Sequence, residues 1–124
     1  MSDRPPLALI MVSPDPVRLR AALMLARSEI ALGGTARMFV QGEAAVLLRA
    51  PIEAPQDEAW RAAGEPALAD LLEEALEDGV LVSLCQSGLA YAGLSAQELD
   101  GRVELTGPIA FLAAAGPDVR LITL

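Results

Sequence analysis

The stretch that decides the fold is Gly79-Val-Leu-Val-Ser-Leu-Cys85, which is followed directly by Gln86-Ser87-Gly88. Its uncharged run of Val and Leu is typical of a strand buried on both faces of a parallel sheet. The small polar residues after it predict a turn at the carboxyl end of that strand. In open α/β sheets, ligands and reactive groups collect at this edge. Cys85, the only cysteine, is therefore a candidate reactive thiol, although most free cysteines are small buried hydrophobic residues.

Strands and helices alternate along the rest of the chain. Strands that alternate with helices pair in parallel through right-handed crossovers. The sequence therefore predicts an α/β fold, a three-layer α/β/α sandwich around a five-stranded parallel sheet, formed by residues 1–124 as a single domain. The predicted strands are residues 7–12, 35–41, 80–85, 102–105 and 119–124, and the predicted helices are residues 16–32, 42–48, 65–78, 95–98 and 107–115.

Residues 49–64 differ in character from the rest, with two prolines, several charged residues and Trp60. We expect this segment to be a long loop, of the kind that is sometimes a mobile lid. Trp60 is expected to pack into a groove or against a partner subunit, because a lone indole more often serves packing than ligand binding.

Composition excludes several function classes. The net charge is −8, and the nine cationic residues are all Arg, so a nucleic acid partner is not expected. The absence of His and Lys removes Ser-His dyads, imidazole metal sites and Schiff bases. A single cysteine removes intrachain disulfides and Cys-rich zinc sites. We therefore expect no metal and no cofactor, and any polar catalysis must use carboxylates, hydroxyls, Arg or Cys85.

The chain is also expected to be soluble and cytoplasmic. Its longest uncharged stretch, residues 79–97, is broken by Gln86-Ser87-Gly88 and fits a buried strand and loop better than a membrane span. The N-terminal residues lack the basic start and cleavage site of a signal peptide. Hydrophobic residues make up 53% of this short chain, which a small sphere cannot easily bury, so we expect a homo-oligomer.

The carboxyl edge of the predicted sheet collects the polar loops, because all strands point the same way. Cys85 is the strong nucleophile among them and is the candidate catalytic residue. The backbone N–H groups after it are placed to stabilise a thiolate if the chain curls around the sulfur. Arg18 or Arg20, early in the first helix, is a candidate cation for that thiolate. The candidate binding residues at this edge are Ser13, Asp15, Gln86, Ser87, Gly88 and Gly107.

These features together resemble the DsrE/DsrF/DsrH-like sulfur-relay family, which includes the YchN-type proteins. The resemblance rests on residues 7–12 before a long helix, on residues 80–88, and on residues 101–107 before a helix and a final strand. It implies an α/β/α sandwich and assembly as a trimer or hexamer, with sulfur donor and acceptor proteins as partners. It also implies a persulfide on the cysteine that ends a central strand, which is Cys85 here.

The leading hypothesis is therefore a sulfurtransferase or persulfide carrier that uses Cys85. A lone cysteine suits this role, because a neighbouring thiol would discharge the persulfide as a disulfide. The alternatives are a non-catalytic module that binds a small ligand and a structural or regulatory subunit of a family oligomer. A true peroxiredoxin is not expected, because the residues before Cys85 lack the peroxiredoxin motif and no second cysteine is present.

Overall fold

The structure is a computed structural model that describes residues 3–124, so Met1 and Ser2 of the predicted domain lie outside the described residues. The strands are β1 (Leu7–Met11), β2 (Ala36–Val40), β3 (Leu81–Cys85), β4 (Glu104–Thr106) and β5 (Arg120–Thr123). The α-helices are α1 (Pro16–Ala31), α2 (Asp57–Ala62), α3 (Leu68–Asp78), α4 (Gln86–Tyr91) and α5 (Pro108–Ala115). Two 3₁₀ segments, Gly42–Leu48 and Ala96–Glu98, lie between them.

The five strands form one sheet in the order β4-β3-β2-β1-β5, and every neighbouring pair is parallel. Helices pack on both faces, so the predicted α/β class and the five-stranded parallel sheet are confirmed. From β1 to β4 the chain steps outward, strand by strand. It then returns through α5 to place β5 beside β1, and a right-handed return crosses the opposite face of the sheet.

The larger core fills the space between the sheet and α1 and α3. Leu9, Met38 and Leu84 point into it from three neighbouring strands, and Leu23 and Leu71 meet them from the two helices. The four residues Ala8, Phe39, Cys85 and Phe111 form a smaller cluster on the other face, with Phe111 contributed by α5. Alternate residues of each strand face opposite ways, so Leu84 and Cys85 belong to different layers.

The sequence predicts a loop over the whole of residues 49–64, but the structure shows a helix within this segment. Its residues Asp57–Ala62 form α2. Asp57 is a buried residue, 8% exposed, and its carboxylate accepts hydrogen bonds from the backbone N–H groups of Ala54 (2.9 Å) and Leu68 (3.0 Å). Trp60 lies against the same chain, since the Arg20 guanidinium sits 3.8 Å from its ring centroid. These contacts tie the segment to α1 and α3.

Local signals at the start of α1 agree with the structure. Asp15 caps this helix by accepting a hydrogen bond from the Val17 N–H at 2.9 Å, and Pro16 is its first residue. Across residues 3–124, every helix is too short or too polar to cross a bilayer.

Candidate functional site

Cys85 ends β3 and also begins α4. Its backbone is extended (φ −65°, ψ 131°), and the next residue is already helical. The turn predicted at Gln86-Ser87-Gly88 is therefore wrong: these residues form the first turn of α4. The chain passes from strand to helix without a connecting loop, which points the backbone N–H groups of the first helical turn back toward the strand end.

The Cys85 side chain is buried, with 6% of the residue exposed. It lies in the cluster formed with Ala8, Phe39 and Phe111, and the two aromatic rings stack with centroids 4.7 Å apart and planes 19° from parallel. Because polar residues follow it directly, the sequence predicts that Cys85 is at least partly accessible, in a pocket at the carboxyl edge of the sheet. The structure instead buries the thiol in the cluster that contains the stacked rings of Phe39 and Phe111.

The first turn of α4 supplies the polar groups that act on the sulfur. The Ser87 hydroxyl lies 3.0 Å from Sγ, within hydrogen-bond distance. The backbone N–H groups of Gly88 and Ser87 act on the thiol through their effect on its pKa. Burial raises the pKa of the Cys85 thiol, but hydrogen bonds from the Ser87 hydroxyl and the two N–H groups outweigh burial, so the pKa lies below its ordinary value. The arrangement favours a thiolate, which is the nucleophilic form of cysteine.

Gly88 has a packing reason to be glycine. A Cβ at this position would lie 3.1 Å from the backbone nitrogen of Gly42 and 3.3 Å from its carbonyl oxygen. The missing side chain therefore lets α4 lie directly against the start of the 3₁₀ segment Gly42–Leu48. This close approach fixes the first turn of α4, and with it the N–H groups that face the sulfur.

The other predicted site residues divide into near and distant ones. Gly107 follows Thr106, the register partner of Cys85 on β4, so Gly107 lies just beyond the end of the neighbouring strand, where it is the N-cap residue of α5. Gln86 follows Cys85 directly and is exposed. Ser13 and Asp15 follow β1, two strands away, which is about 10 Å at ordinary strand spacing. Because Asp15 caps α1, the structure does not bring this pair to the thiol.

The predicted cation is not at the site. Arg20 belongs to α1, on the opposite face of the sheet, where its guanidinium stacks on Trp60 and donates to the Pro66 carbonyl at 2.8 Å. Arg18 lies 4.0 Å from the carboxylate of Asp15. The groups that lower the pKa of Cys85 are therefore dipoles, not charges.

Two depressions on the surface lie away from Cys85. One of about 160 Å³ is lined at the amino end of β3 by Leu81 and Arg102, and one of about 220 Å³ is lined by Leu48 and Leu99. In the part of the chain that the structure describes, no group of three or more Cys, Asp or Glu side chains could hold a metal ion.

Sequence reasoning missed Phe39 and Phe111 as neighbours of the thiol. They are the two phenylalanines of the chain, and they fall within the predicted strand 35–41 and the predicted helix 107–115. A signal was present, because Phe39 faces the same way as Cys85 when strand residues alternate. The position of Phe111 depends on which face α5 covers.

Comparison with known proteins gives the family through one family model and the fold through solved structures. The model of the DsrE/DsrF-like family matches residues 7–124. No curated protein matches the sequence. Among solved structures, the ychN protein from E. coli shares 18% identity at a TM-score of 0.69, covering 98% of this chain and 99% of its own. A protein of unknown function from Methanobacterium thermoautotrophicum, MTH1491, shares 14% identity at a TM-score of 0.69, and the match covers 98% of this chain and 100% of that protein's chain.

Proposed function

Because the chain belongs to the DsrE/DsrF-like family, we propose that it is a persulfide carrier or sulfurtransferase in intracellular sulfur relay, with Cys85 as its catalytic residue. The observation that carries the proposal is the 3.0 Å contact between the Ser87 hydroxyl and the Cys85 sulfur, beside backbone N–H groups of Ser87 and Gly88 that also lower the pKa of the thiol. A sulfur atom with such donors is suited to hold a negative charge inside a largely apolar cluster.

The proposed reaction is a thiolate exchange in two steps. In the first, the Cys85 thiolate attacks the outer sulfur of a donor persulfide; the new S–S bond forms as the donor's S–S bond breaks, and the donor leaves as a thiolate. In the second, an acceptor thiolate attacks the outer sulfur now on Cys85, and Cys85 leaves as a thiolate. Each step conserves charge and needs no oxidant or reductant.

The burial of Cys85 has a chemical use in this scheme. A persulfide that is kept away from water and stray thiols is protected from premature discharge. Because the chain has a single cysteine, no thiol of the same chain can attack the loaded sulfur. A single reactive thiol stays reduced in a reducing compartment, so a cytoplasmic location is part of the proposed function.

The proposal includes a homo-oligomer, a trimer or hexamer, that meets donor and acceptor proteins. Large apolar side chains are exposed on the single chain, among them Ile109 at 85% and Leu32 at 63%. Leu112 and Leu121 are each half exposed and belong to α5 and β5, on the side of the sheet that carries Cys85. Covering such surface is a common reason for small domains to associate.

A second candidate function is favoured by one observation. With 6% of the residue exposed, Cys85 also fits the description of an inert packed residue, as expected of a structural or regulatory subunit. A ligand-binding module has less support, since Ser13 and Asp15 lie away from the thiol and Asp15 is engaged in capping α1.

The variant Cys85→Ser separates these functions. Incubated with a radioactive sulfane-sulfur donor, the wild-type protein should take up label and the variant should take up none. The melting temperature and the mass by light scattering should change little, because a serine hydroxyl at position 85 can keep the hydrogen bond that the sulfur makes with the Ser87 hydroxyl. A wild-type protein that takes up no label would support the structural subunit, and a monomeric wild-type protein would contradict the oligomer.

A further inference from the structure

We propose that Ser87 is a positioning residue whose hydroxyl makes the Cys85 thiolate a good leaving group. The site is then biased toward transfer of the sulfur to an acceptor over retention of the persulfide. This inference rests on the proposed function and adds the direction in which the site is biased. Ser87 Oγ lies 3.0 Å from Cys85 Sγ, and this contact is the observation behind it.

The contact distinguishes the two states of the site. In the free thiolate the negative charge lies on Sγ, where the Ser87 hydroxyl donates its hydrogen bond. In the loaded state Sγ is bonded to a second sulfur and no longer carries the charge, which left with the donor thiolate. Since hydrogen bonds to charged groups are the stronger ones, the hydroxyl stabilises the unloaded thiolate more than the persulfide.

The discharge step uses this difference. The acceptor thiolate bonds to the outer sulfur, the bond from that sulfur to Sγ breaks, and the bonding electron pair stays on Sγ. The negative charge therefore develops at the atom that faces the Ser87 hydroxyl. A leaving thiolate that is better stabilised leaves faster, so the hydroxyl accelerates discharge and makes loading less favourable.

Ser87 is open to a clean substitution. The backbone N–H groups at the sulfur are fixed by the fold of α4, whereas the hydroxyl is carried by an exposed side chain in the first turn of the helix. Ser87→Ala removes the hydroxyl without opening a core cavity, and Ser87→Thr restores it. Ser28→Ala is a matched control, because Ser28 is also an exposed helical serine whose hydroxyl donates to a backbone carbonyl, that of Met24, at 2.7 Å.

The first measurement is the rate of alkylation of Cys85 by a small reagent as a function of pH. Ser87→Ala should move the midpoint of this profile to higher pH, while Ser87→Thr and Ser28→Ala should match the wild-type protein. A purely structural role for Ser87 would change the amplitude of the rate but not the midpoint. An unchanged midpoint in Ser87→Ala would overturn the inference.

The second measurement is cyanolysis of the sulfur-loaded proteins, in which cyanide takes the outer sulfur as thiocyanate and leaves the Cys85 thiolate. Ser87→Ala should release thiocyanate about threefold to tenfold more slowly than the wild-type protein, with rescue by Ser87→Thr. Equal release rates would overturn the bias toward discharge. A wild-type protein that cannot be loaded would refute the proposed function and its discharge step, and the alkylation profile would still decide whether Ser87 positions the thiolate.

Discussion

Glu29 is a buried carboxylate that joins three parts of the chain. This residue of α1 is 4% exposed, and it pairs with Arg4 at 2.6 Å and with Arg120 of β5 at 2.9 Å. The hydrogen bond from Arg4 lowers the pKa of Glu29 most, burial opposes it, and Arg120 lowers the pKa further, to about 2. The ionised form therefore holds the N-terminal segment and the edge strand β5 against α1.

This pair of contacts predicts how stability changes in acid. Because the folded-state pKa lies below the ordinary value of 4.5, the stabilisation is complete above about pH 4.5 and is lost as the pH falls to about 2. Glu29→Gln, which does not titrate, should melt several degrees below the wild-type protein near neutral pH. Thermal unfolding followed across this range should show the gap closing toward pH 2, and a gap that stays constant would refute the assignment.

At the scale of single residues, the sequence predicts where Cys85 lies but not how it is covered. Its position at a strand end follows from local pattern alone, whereas Phe39 and Phe111 reach it from elements far away in the chain. The role of Ser87 is likewise hidden, because a serine in a turn and a serine in the first turn of a helix aim their hydroxyls differently.

The element that decides access to Cys85 is α5. Its buried residues are Phe111 and Ala115, while Ile109 and Leu112 of the same helix are exposed. Phe111→Ala removes the ring that stacks on Phe39, a change that costs about 3–5 kcal/mol in a packed core. Alkylation of Cys85 in the native protein should then accelerate by roughly tenfold or more, because local opening of α5 becomes easier.

A control separates local opening from global unfolding. Leu72 of α3 packs in the core on the other face of the sheet, so Leu72→Ala weakens the whole protein without uncovering the thiol. Labelling through local opening should depend weakly on low denaturant concentrations in Phe111→Ala, and labelling through global unfolding should depend on them steeply. Equal acceleration in the two variants would contradict the role of α5.

Elements with a strong periodic pattern are predicted well, and those fixed by distant contacts are not. The strands and α1 fall close to their predicted bounds because continuous apolar runs and the Asp15-Pro16 start are local signals. By contrast, α2 lies within the predicted loop. Its residue Asp57 accepts hydrogen bonds from the backbone of Ala54 and Leu68. Its residue Trp60 packs against the Arg20 guanidinium, a contact that local sequence does not reveal.

At the scale of the whole molecule, the strand order explains why this edge is suited to chemistry. The chain leaves β3 into α4, whose Leu89 packs with the larger core, and it leaves β4 into α5 on the opposite face. The carboxyl ends of β3 and β4, which carry Cys85 and Thr106, therefore flank the point where the connections diverge. The sequence alone does not fix this order, because several orders satisfy the same alternation of strands and helices.

Mass spectrometry of the wild-type protein after incubation with a sulfane-sulfur donor tests the central claim most directly. A working carrier should gain the mass of one sulfur atom, confined to the peptide that contains Cys85, and should lose it on treatment with a thiol reductant. A protein whose Cys85 peptide keeps its original mass, under conditions where an unstructured cysteine peptide is readily persulfidated, would contradict the account and leave Cys85 as a packing residue.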